Sequence, residues 1–369
     1  MERVVMLVDL DYFFAQAEET RNPAIRDKPV VVCVYSGRSE ESGAVSTSNY
    51  LARKYGVKSG MPIFLAKKKL ENVEAVFLPV DHDFYDDTSL KVMDVLRRHA
   101  DSFEQVGIDE AFLDVTRKAG ADFEKARRLA EEIKGDIQAK LRLTCSIGIG
   151  PNKLVAKVAA DSQKPDGLTI VKPECVQSFL FPLPIDRLIG VGVKTKEKMQ
   201  SLGIGTIGEL AKYDAKKLID VFGKSLGKYF HQAALGLDDE PVAEKGEVES
   251  VSRISTLKQD TRDMSLILQK TDQLCDEIHS TIQVQKLSFK AVAVIVITKD
   301  MAVHTRSKTL ENPASDKEIM KQTVKDLLVR LLGETQMEMR RVGVRVANFA
   351  KEQDTQKQLT SFIEPAKND

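Results

Sequence analysis

The stretch VDLDYFFA, residues 8–15, sets two carboxylates at the end of an apolar run and follows them with three aromatic rings. The run before it, RVVMLV, is short and β-prone, which predicts a strand buried on both faces. Side chains alternate along a strand, and a buried unpaired carboxylate is costly. We interpret Asp9 as a candidate metal ligand and Asp11 as the N-cap of the helix that follows. For a single aspartate at a strand end, a purely structural role is the commoner alternative.

The composition is that of a globular protein without overall charge. The chain has 369 residues, 42% hydrophobic and 30% charged, with a formal net charge of zero. That length suffices for about two to four compact domains, and only the local distribution of charge bears on a polyanionic partner. The four cysteines show no CxxC spacing, which argues against a zinc site and indicates a reducing environment. The sequence shows no signal peptide and no membrane span, so a cytoplasmic protein is expected.

Strand and helix signals change character along the chain. Residues 1–170 read as strands with helices on one side, an α+β layer, whereas 171–237 read as short helices punctuated by glycine. Residues 238–249 hold one lysine against six acidic residues, a net charge of −5, and are interpreted as an exposed linker. Residues 250–350 return to a strand–helix–strand–strand–helix–strand pattern with a net charge of +4.

A second carboxylate pair lies in FEQVGIDEAFLDV, residues 103–115, where Asp109 and Glu110 are neighbours in a β-patterned stretch. Neighbouring side chains of a regular strand point to opposite faces, so the two share a site only at a hairpin or a bend. Acidic residues at a hairpin tip are solvated turn residues as often as they form a shared site. Together with Asp9, they would form an oxygen site suited to Mg²⁺. Two such ions would activate a 3′-hydroxyl and stabilise a leaving pyrophosphate.

A triphosphate at such a site would need cations and hydrogen-bond donors. TSNYLARKYGV, residues 47–57, is predicted as one helix in which Thr47, Tyr50 and Arg53 line one side. An arginine there could hold a phosphate in a forked geometry, with two hydroxyls beside it. Lys164, in a loop, could reach a terminal phosphate. The alternatives are an ordinary amphipathic helix with solvated charges and a loop lysine without a function.

Five segments occur in order: VDLDYFFAQAEE, SGAVSTSNYLARKYGVKSGMP, GIDEAFLDV, SIGIGPNKLVAKVAADSQKPDGL and IGVGVKTKEKMQSLGI. Together they resemble the Y-family of lesion-bypass DNA polymerases, specifically the DNA polymerase IV (DinB-like) group, over about the first 350 residues. The resemblance implies an α+β right-hand polymerase with an additional α+β little-finger domain. The implied domains are a palm (1–10 and 78–171), fingers (11–77), a helical thumb (172–237), a linker (238–249), a little finger (250–350) and a tail (351–369).

The resemblance also implies roles for individual residues. Asp9, Asp109 and Glu110 would bind two Mg²⁺ ions with help from the Leu10 carbonyl, and Phe14 would be the steric gate against a ribonucleotide 2′-hydroxyl. The incoming deoxynucleoside triphosphate would contact Tyr12, Phe13, Phe14, Ala44, Thr47, Tyr50, Arg53 and Lys164. Small residues over the nascent base pair could reject few misfits, so low fidelity is expected. No segment remains for a proofreading exonuclease.

Primer–template DNA would be held by the thumb and the last domain. IGVGVKTKEKMQSLGIGTIGEL, residues 189–210, looks like a helix–hairpin–helix, in which Gly190, Gly192 and Lys194 would meet a phosphate. Two strands carry basic residues at period two, Arg306 with Lys308 and Arg341 with Arg345, and such residues on one sheet face can track a phosphate backbone. A solvated charged face is the alternative. Relatives often carry a basic linker, so the acidic one here predicts weak DNA binding and low processivity.

The tail sequence QKQLTSFIE, residues 356–364, resembles the peptide that docks on sliding clamps of the archaeal and eukaryotic type. Its clamp-binding residues would be Gln356, Leu359, Phe362 and Ile363. Such a tether would offset weak DNA binding through effective concentration. The motif also indicates an archaeal source.

The leading hypothesis is a monomeric, template-directed DNA polymerase of the translesion type. A non-catalytic scaffold that binds DNA and a clamp is the first alternative, and a palm-type nucleotide cyclase is the second. The presence of all three carboxylates together with Arg53 and Lys164 favours catalysis over the scaffold. A helix–hairpin–helix argues against a cyclase, which needs no duplex.

Overall fold

The computed structural model describes residues 2–244, 246 and 248–351. The chain divides into two compact units, Met1–Val34 with Ala44–Lys245 and Tyr35–Gly43 with Gly246–Asp369. We call these the larger unit and the C-terminal unit. Among the described residues, no helix is long and apolar enough to cross a membrane.

The larger unit alternates strands and helices up to residue 170 and continues with helices, as the sequence pattern indicates. In chain order its elements are β1 (Val5–Leu10), α1 (Phe13–Arg21), β2 (Val30–Tyr35), β3 (Gly43–Ser48), α2 (Tyr50–Lys54), α3 (Ile63–Lys69), β4 (Val76–Pro79), α4 (His82–His99), β5 (Ser102–Gln105), β6 (Glu110–Asp114), α5 (Phe123–Leu141), β7 (Cys145–Gly150), α6 (Lys153–Ser162), β8 (Leu168–Ile170), α7 (Val176–Leu180), α8 (Val193–Gln200), α9 (Ile207–Lys212), α10 (Ala215–Phe222) and α11 (Lys224–Ala234).

Five of these strands form one sheet in the order β5-β6-β1-β7-β8. Neighbouring strands are antiparallel except β7 and β8, which are parallel. Strand β1 lies at the centre and is buried along its whole length, as its apolar sequence predicts. A mostly antiparallel sheet with packed helices confirms the α+β fold class.

Helices cover both faces of this sheet, so the expectation of helices on one side only is wrong. Even-numbered residues of β1 face a core shared with α4 and α5, whereas Val5 and Leu7 pack with Ala156 and Ala160 of α6. Helix α6 packs closely on β7 at Gly148. Any larger residue there would clash, because its Cβ atom would lie 2.1 Å from the Ala156 carbonyl oxygen. Asp9 has the same parity as Val5 and Leu7 and therefore projects from the α6 face.

A smaller sheet, of order β3-β2-β4, carries α2 and α3. The helix predicted over residues 47–57 is shorter than expected, because Thr47 belongs to β3 and α2 begins only at Tyr50. The Asn49 side chain accepts a hydrogen bond from the Ala52 amide and so caps α2 at this point. Thr47 and Arg53 consequently come from different elements rather than from one side of a helix.

Helices α7–α11 share a core with one side of α6, to which Leu154, Val155, Val158 and Ala159 contribute. The acidic segment after α11 is not exposed throughout. The Asp238 carboxylate accepts a hydrogen bond from the Leu154 amide (3.1 Å), Glu240 lies 3.2 Å from the Lys153 ammonium, and Val242 is buried. Part of the linker's negative charge is therefore balanced within the larger unit, which leaves less of it to act on DNA.

The C-terminal unit has the predicted strand–helix–strand–strand–helix–strand order. Its elements are β9 (Ser250–Thr261), α12 (Met264–Val284), β10 (Leu287–Thr298), β11 (Val303–Ala314), α13 (Lys317–Glu334) and β12 (Met339–Lys351). The strands form an antiparallel sheet of order β11-β10-β12-β9. Alternate residues of β10, including Val292 and Val294, are fully buried in the core that contains α12 and α13. The face away from these helices is called the helix-free face below.

Candidate active site

One cavity of about 400 Å³ in the larger unit gathers most of the predicted site residues. Its lining contains Asp9, Leu10, Tyr12, Phe13, Phe14, Thr47, Tyr50, Arg53, Asp109, Glu110 and Lys164, together with Ser46, Ser59, Ile108 and Lys157. Ala44 is not part of the lining and instead forms an isolated β-bridge with Pro62. The sequence interpretation did not assign Ser46, Ser59, Ile108 or Lys157 to the site.

The three carboxylates converge through strand register and a hairpin. Glu110 lies directly opposite Asp9 in the antiparallel pair of β1 and β6, which sets both side chains on one face. The β5–β6 turn is closed by the Gly107 amide, which donates to the Glu110 carbonyl (3.2 Å). The Leu10 amide donates to the Asp109 carbonyl (2.9 Å). The hairpin that the adjacent carboxylates require is therefore present.

Two lysines face these carboxylates. The Lys157 Nζ lies 2.6 Å from Glu110 Oε2 and 3.1 Å from Asp9 Oδ2. The Lys164 Nζ lies 2.6 Å from Asp9 Oδ2 and 3.1 Å from Asp161 Oδ1. Burial acts to lower the pKa of each ammonium, but the neighbouring carboxylates more than offset this and both pKa values are raised. Both side chains are therefore cations at neutral pH.

Asp109 is the carboxylate whose charge is least well balanced. Burial, followed by the charges of Asp9 and Glu110, raises the pKa of its carboxyl above the ordinary value. Among the described residues, no group of three His, Cys, Asp or Glu side chains has the arrangement of a metal site. The donor set nevertheless fits a hard divalent cation, because Asp9, Asp109 and Glu110 line one cavity with Leu10, and Asp109 forms no ion pair within the described part of the chain.

Asp11 is not the N-cap of α1, contrary to the sequence prediction. The cap position is Tyr12, in a left-handed conformation with φ 36°, and no side chain caps the helix. The Asp11 carboxylate is buried and accepts hydrogen bonds from the Thr144 hydroxyl (2.8 Å), the Ser146 hydroxyl (2.7 Å) and the Asp166 amide (2.8 Å). The Asp11 carboxylate is therefore engaged by donors that are distant in sequence, and it does not accept a hydrogen bond from the first turn of α1.

The segment that presents Lys164 is held from two sides. Asp11 accepts the Asp166 amide, and the Lys134 ammonium donates to the carbonyls of Asp166 (2.7 Å) and Gly167 (3.2 Å). Buried polar groups with complete hydrogen bonding fix their neighbours in place. These contacts hold the backbone at residues 166–167, close to Lys164 in sequence.

The aromatic residues after β1 are packed rather than free. The Phe14 ring stacks on Tyr85, with centroids 4.2 Å apart and planes inclined by 13°. The Tyr85 hydroxyl donates to the buried Glu18 carboxylate (2.8 Å), which fixes the ring beneath Phe14. Phe13 is 3% exposed, and its ring belongs to the core beneath the sheet.

Tyr12 joins α1 to the element that carries Arg53. Its ring meets Tyr50 edge to face, with centroids 5.3 Å apart, and its hydroxyl donates to Glu19 (3.2 Å). The Asn49 amide group donates to the other Glu19 oxygen (2.8 Å). Arg53 donates from Nε to the Ser48 carbonyl (2.9 Å), and its guanidinium lies 4.8 Å from the centre of the Tyr50 ring. Tyr12, Tyr50 and Arg53, three of the predicted triphosphate ligands, therefore form one connected group.

The turn at residues 189–193 leads into helix α8 through two of the glycines named in the sequence prediction. Gly190 has φ +83°, a value that favours glycine, and Gly192 is the N-cap of α8. The amides of the first turn of a helix have no intrahelical acceptor, so those of α8 can receive an anion. Lys194 is exposed in this first turn. The Tyr229 hydroxyl donates to the Ile189 carbonyl (2.9 Å) and supports the turn from behind.

The four basic residues predicted to bind DNA in the C-terminal unit do not share a face. Arg306 and Lys308 pair in register with the fully buried Val294 and Val292, so they project on the side of the helices, where Arg306 forms an ion pair with Glu334 of α13. In contrast, Arg341 and Arg345 pair with Ile297 and Ala293, which places them on the helix-free face. The predicted clamp-binding residues, Gln356, Leu359, Phe362 and Ile363, lie outside the described residues.

Comparison with known families gives matches along nearly the whole chain. The impB/mucB/samB family matches residues 8–161, and the C-terminal domain of that family matches residues 248–361. A thumb-domain family described as that of DNA polymerase-iota matches residues 186–238. These matches fall on the central sheet, the C-terminal sheet and the helices that carry the Gly190 turn.

Individual proteins are similar over the same extent. DNA polymerase IV 1 of Methanosarcina mazei is 46% identical over 367 residues, which are 98% of this chain and 100% of the relative. DNA polymerase IV of Nitrosopumilus maritimus is 45% identical over 362 residues, 98% of this chain and 99% of the relative.

Solved structures agree with these relatives. A Y-family DNA polymerase chimera of Dbh and Dpo4 is 37% identical, with a TM-score of 0.89 over 94% of this chain and 99% of that chain. An insertion ternary complex of Dbh DNA polymerase is 36% identical, with a TM-score of 0.69 over the same shares of the two chains. On the strength of these matches, the chain belongs to the Y-family of DNA polymerases, and within it to the DNA polymerase IV (DinB-like) group.

Proposed function

We propose that this chain extends a DNA primer by template-directed transfer of deoxynucleotides in the cavity that contains Asp9, Asp109 and Glu110. As a Y-family member it is a metal-dependent, DNA-directed DNA polymerase of the translesion type. The observation that carries the assignment to this cavity is the convergence of three carboxylates beside Lys164 and Arg53. Carboxylates can bind the metal ions of a nucleoside triphosphate, and the neighbouring cations can bind its phosphates, including the pyrophosphate that is released.

Asp9, Asp109 and Glu110 would hold two Mg²⁺ ions, with the Leu10 carbonyl as a further oxygen ligand. When bound, the ions activate the primer 3′-hydroxyl and stabilise the charge of the departing pyrophosphate. The sheet register supports this role, because it keeps Asp9 and Glu110 opposed on adjacent strands without relying on a mobile loop. Asp109 adds its charge from the hairpin next to them.

The nucleotide would be bound from the side of α1 and α2. Lys164 and Arg53 supply positive charge, Thr47 and Tyr50 supply hydroxyls, and the first amides of α1 at Tyr12 and Phe13 are available to phosphate oxygens. Phe14 would exclude a 2′-hydroxyl. Its stacking on Tyr85 supports the gate role, because a ring fixed by its neighbour cannot turn aside to admit the larger sugar.

DNA contacts are proposed for two surfaces. The amides that follow Gly190 and Gly192, with Lys194, would hold a backbone phosphate without reading sequence. Arg341 and Arg345 would track the backbone on the helix-free face, whereas Arg306 has an internal partner and Lys308 projects on the other side. Weak binding at such surfaces is consistent with low processivity, and the low fidelity of the family follows from the few contacts available to reject a misfit.

The finer proposals concern partners and place. The sequence at 356–364 supports docking to a sliding clamp through Gln356, Leu359, Phe362 and Ile363. We propose that the chain acts as a monomer in the cytoplasm. The scaffold hypothesis survives only if the folded wild type binds DNA and makes no product.

Primer extension tests the proposal. Wild type with Mg²⁺, an undamaged primer–template and deoxynucleotides should give templated products, and the double variant Asp109→Ala, Glu110→Ala should give none while still binding DNA. The matched control replaces Glu131 and Glu132 on α5, another adjacent acidic pair but an exposed one, and should extend primers like wild type. Full activity of the first variant would remove the carboxylates from catalysis. A folded, DNA-binding wild type without products would favour the scaffold.

A further inference from the structure

Lys157 lies where the carboxylates of the cavity meet. It belongs to α6, whose residues next to it in sequence, Ala156 and Val158, are buried. Its ammonium bridges Glu110 Oε2 (2.6 Å) and Asp9 Oδ2 (3.1 Å), so one cation is shared by two opposed strands. None of the nucleotide-binding roles assigned above requires this residue.

The Lys157 ammonium reduces the repulsion between the Asp9 and Glu110 carboxylates. Asp9 and Glu110 lie directly opposite each other in the antiparallel pair, a position in which two like charges destabilise the sheet. A cation between them removes that repulsion and keeps the carboxylates converged. Lys153, one turn earlier on α6, pairs with Glu104 (2.9 Å) outside the cavity lining, so it offers an internal comparison.

A divalent ion bound by the same carboxylates would need the oxygens that now accept from Lys157. Two cations cannot share that position, because close like charges repel strongly at a partly buried site. A second acceptor is within reach, since Asp161 Oδ2, one turn further along α6, lies 3.7 Å from the Lys157 Nζ. The lysine can therefore move toward Asp161 without losing an anionic partner.

We propose that Lys157 is a stand-in cation that holds Asp9 and Glu110 together before metal binds and gives way toward Asp161 when metal arrives. The inference rests on the proposed role of these carboxylates as metal ligands. It makes Lys157 a positioning residue that competes with metal, so that the metal-free site stays assembled at the expense of metal affinity.

The test measures Mn²⁺ binding by electron paramagnetic resonance on the full chain, without DNA or nucleotide. Lys157→Met keeps the packing of the aliphatic stem and removes the charge, so it should bind Mn²⁺ roughly tenfold more tightly than wild type. Its melting temperature should fall in EDTA and recover with Mn²⁺. Unchanged or weaker Mn²⁺ affinity in this variant would overturn the proposal.

Two further variants guard the interpretation. Lys153→Met should lower the melting temperature equally in EDTA and in Mn²⁺ and leave Mn²⁺ affinity unchanged; a tightening as large as that of Lys157→Met would show a general charge effect and overturn the proposal. Asp161→Asn removes the second acceptor and should weaken Mn²⁺ binding, and this prediction stands even if Lys157→Met does not fold. Wild-type affinity in Asp161→Asn would count against the proposal.

The proposed function fails in a different way. If Asp109→Ala, Glu110→Ala kept the wild-type affinity for Mn²⁺, the ion would not bind at these carboxylates, and both the proposed function and the role of Lys157 would be wrong. Loss of Mn²⁺ binding in that variant, together with unchanged affinity in Lys157→Met, would retain the function and reject only the stand-in cation.

Discussion

The two sheets of this protein use basic residues in opposite ways. Beside the central sheet of the larger unit, Lys157 of α6 and Lys164 of the following loop are matched by carboxylates within the same unit. On the helix-free face of the C-terminal sheet, Arg341 and Arg345 form no ion pair with any described residue, and the Arg341 Nε is buried without a hydrogen-bond partner. Arginines without an internal carboxylate partner can accept an anion from outside, whereas the carboxylates and lysines of the cavity depend on one another's positions.

The difference predicts that catalysis and DNA affinity can be removed separately. Asp9→Ala should lower primer extension by at least about 10³-fold, since it removes an oxygen from the proposed metal site and an anionic partner from two lysines. DNA affinity at fixed salt should stay within about threefold, because the phosphate-binding residues lie elsewhere. Single-turnover extension and fluorescence anisotropy measure the two quantities. Equal losses in both would show that the cavity also holds the duplex.

Asp11→Ala should damage the balanced cavity through stability. The change leaves the hydroxyls of Thr144 and Ser146 and the Asp166 amide without their buried acceptor, which we expect to cost about 3 kcal/mol in the free energy of unfolding. Urea unfolding measures this loss. Asp122→Ala, which removes only the exposed N-cap of α5, should cost about 1 kcal/mol.

The same variant tests whether Asp11 positions Lys164. If it does, the KM for deoxynucleotides should rise in Asp11→Ala while the affinity for DNA stays constant. An unchanged KM in a destabilised variant would restrict Asp11 to a structural role.

The sequence predicts the elements of this site better than their mutual placement. Asp9, Asp109 and Glu110 are recognisable because each lies at or next to one end of an apolar strand, which is a local signal. Lys157 is not, because its importance depends on the sheet face that α6 covers. That choice rests on the close approach of α6 to Gly148, which no periodicity of the helix itself reveals.

The errors have the same physical origin. Asp11 has the residue type of a helix cap, but all three of its hydrogen-bond donors lie more than 130 positions away along the chain. Asn49 is the N-cap of α2, and Thr47 precedes it. Thr47 therefore belongs to β3 and not to the helix. Arg306 and Arg345 follow similar period-two patterns, and only the register of their strands separates the two faces. In each case, contacts between residues distant in sequence determine the partner or the sheet face of a side chain, which the local pattern does not specify.

The helix-free face can be tested through salt dependence. Arg341→Ala with Arg345→Ala should reduce the slope of log affinity for DNA against log salt by about two, because each arginine would neutralise one phosphate and each phosphate accounts for about one unit of slope. Arg306→Ala with Lys308→Ala is the matched control, which removes the same charge from the other face, and should change the slope by less than about one. Equal changes in the two double variants would mean that net charge, rather than the helix-free face, governs DNA binding.

The smallest effect concerns the one carboxylate of the cavity whose charge is least well balanced. The pKa of Asp109 is raised by burial and by the charges of Asp9 and Glu110, so the metal-free folded protein holds a proton there more strongly than the unfolded chain does. Stability without metal should therefore fall as pH rises from the ordinary aspartate pKa through the raised one. Asp109→Asn should remove this decline and raise the melting temperature in EDTA slightly at neutral pH, with no gain at acidic pH where Asp109 is already protonated. Melting curves of both proteins in EDTA across the pH range measure this difference in melting temperature. A gain for Asp109→Asn that persists at acidic pH would show that packing, rather than charge, causes the difference in stability.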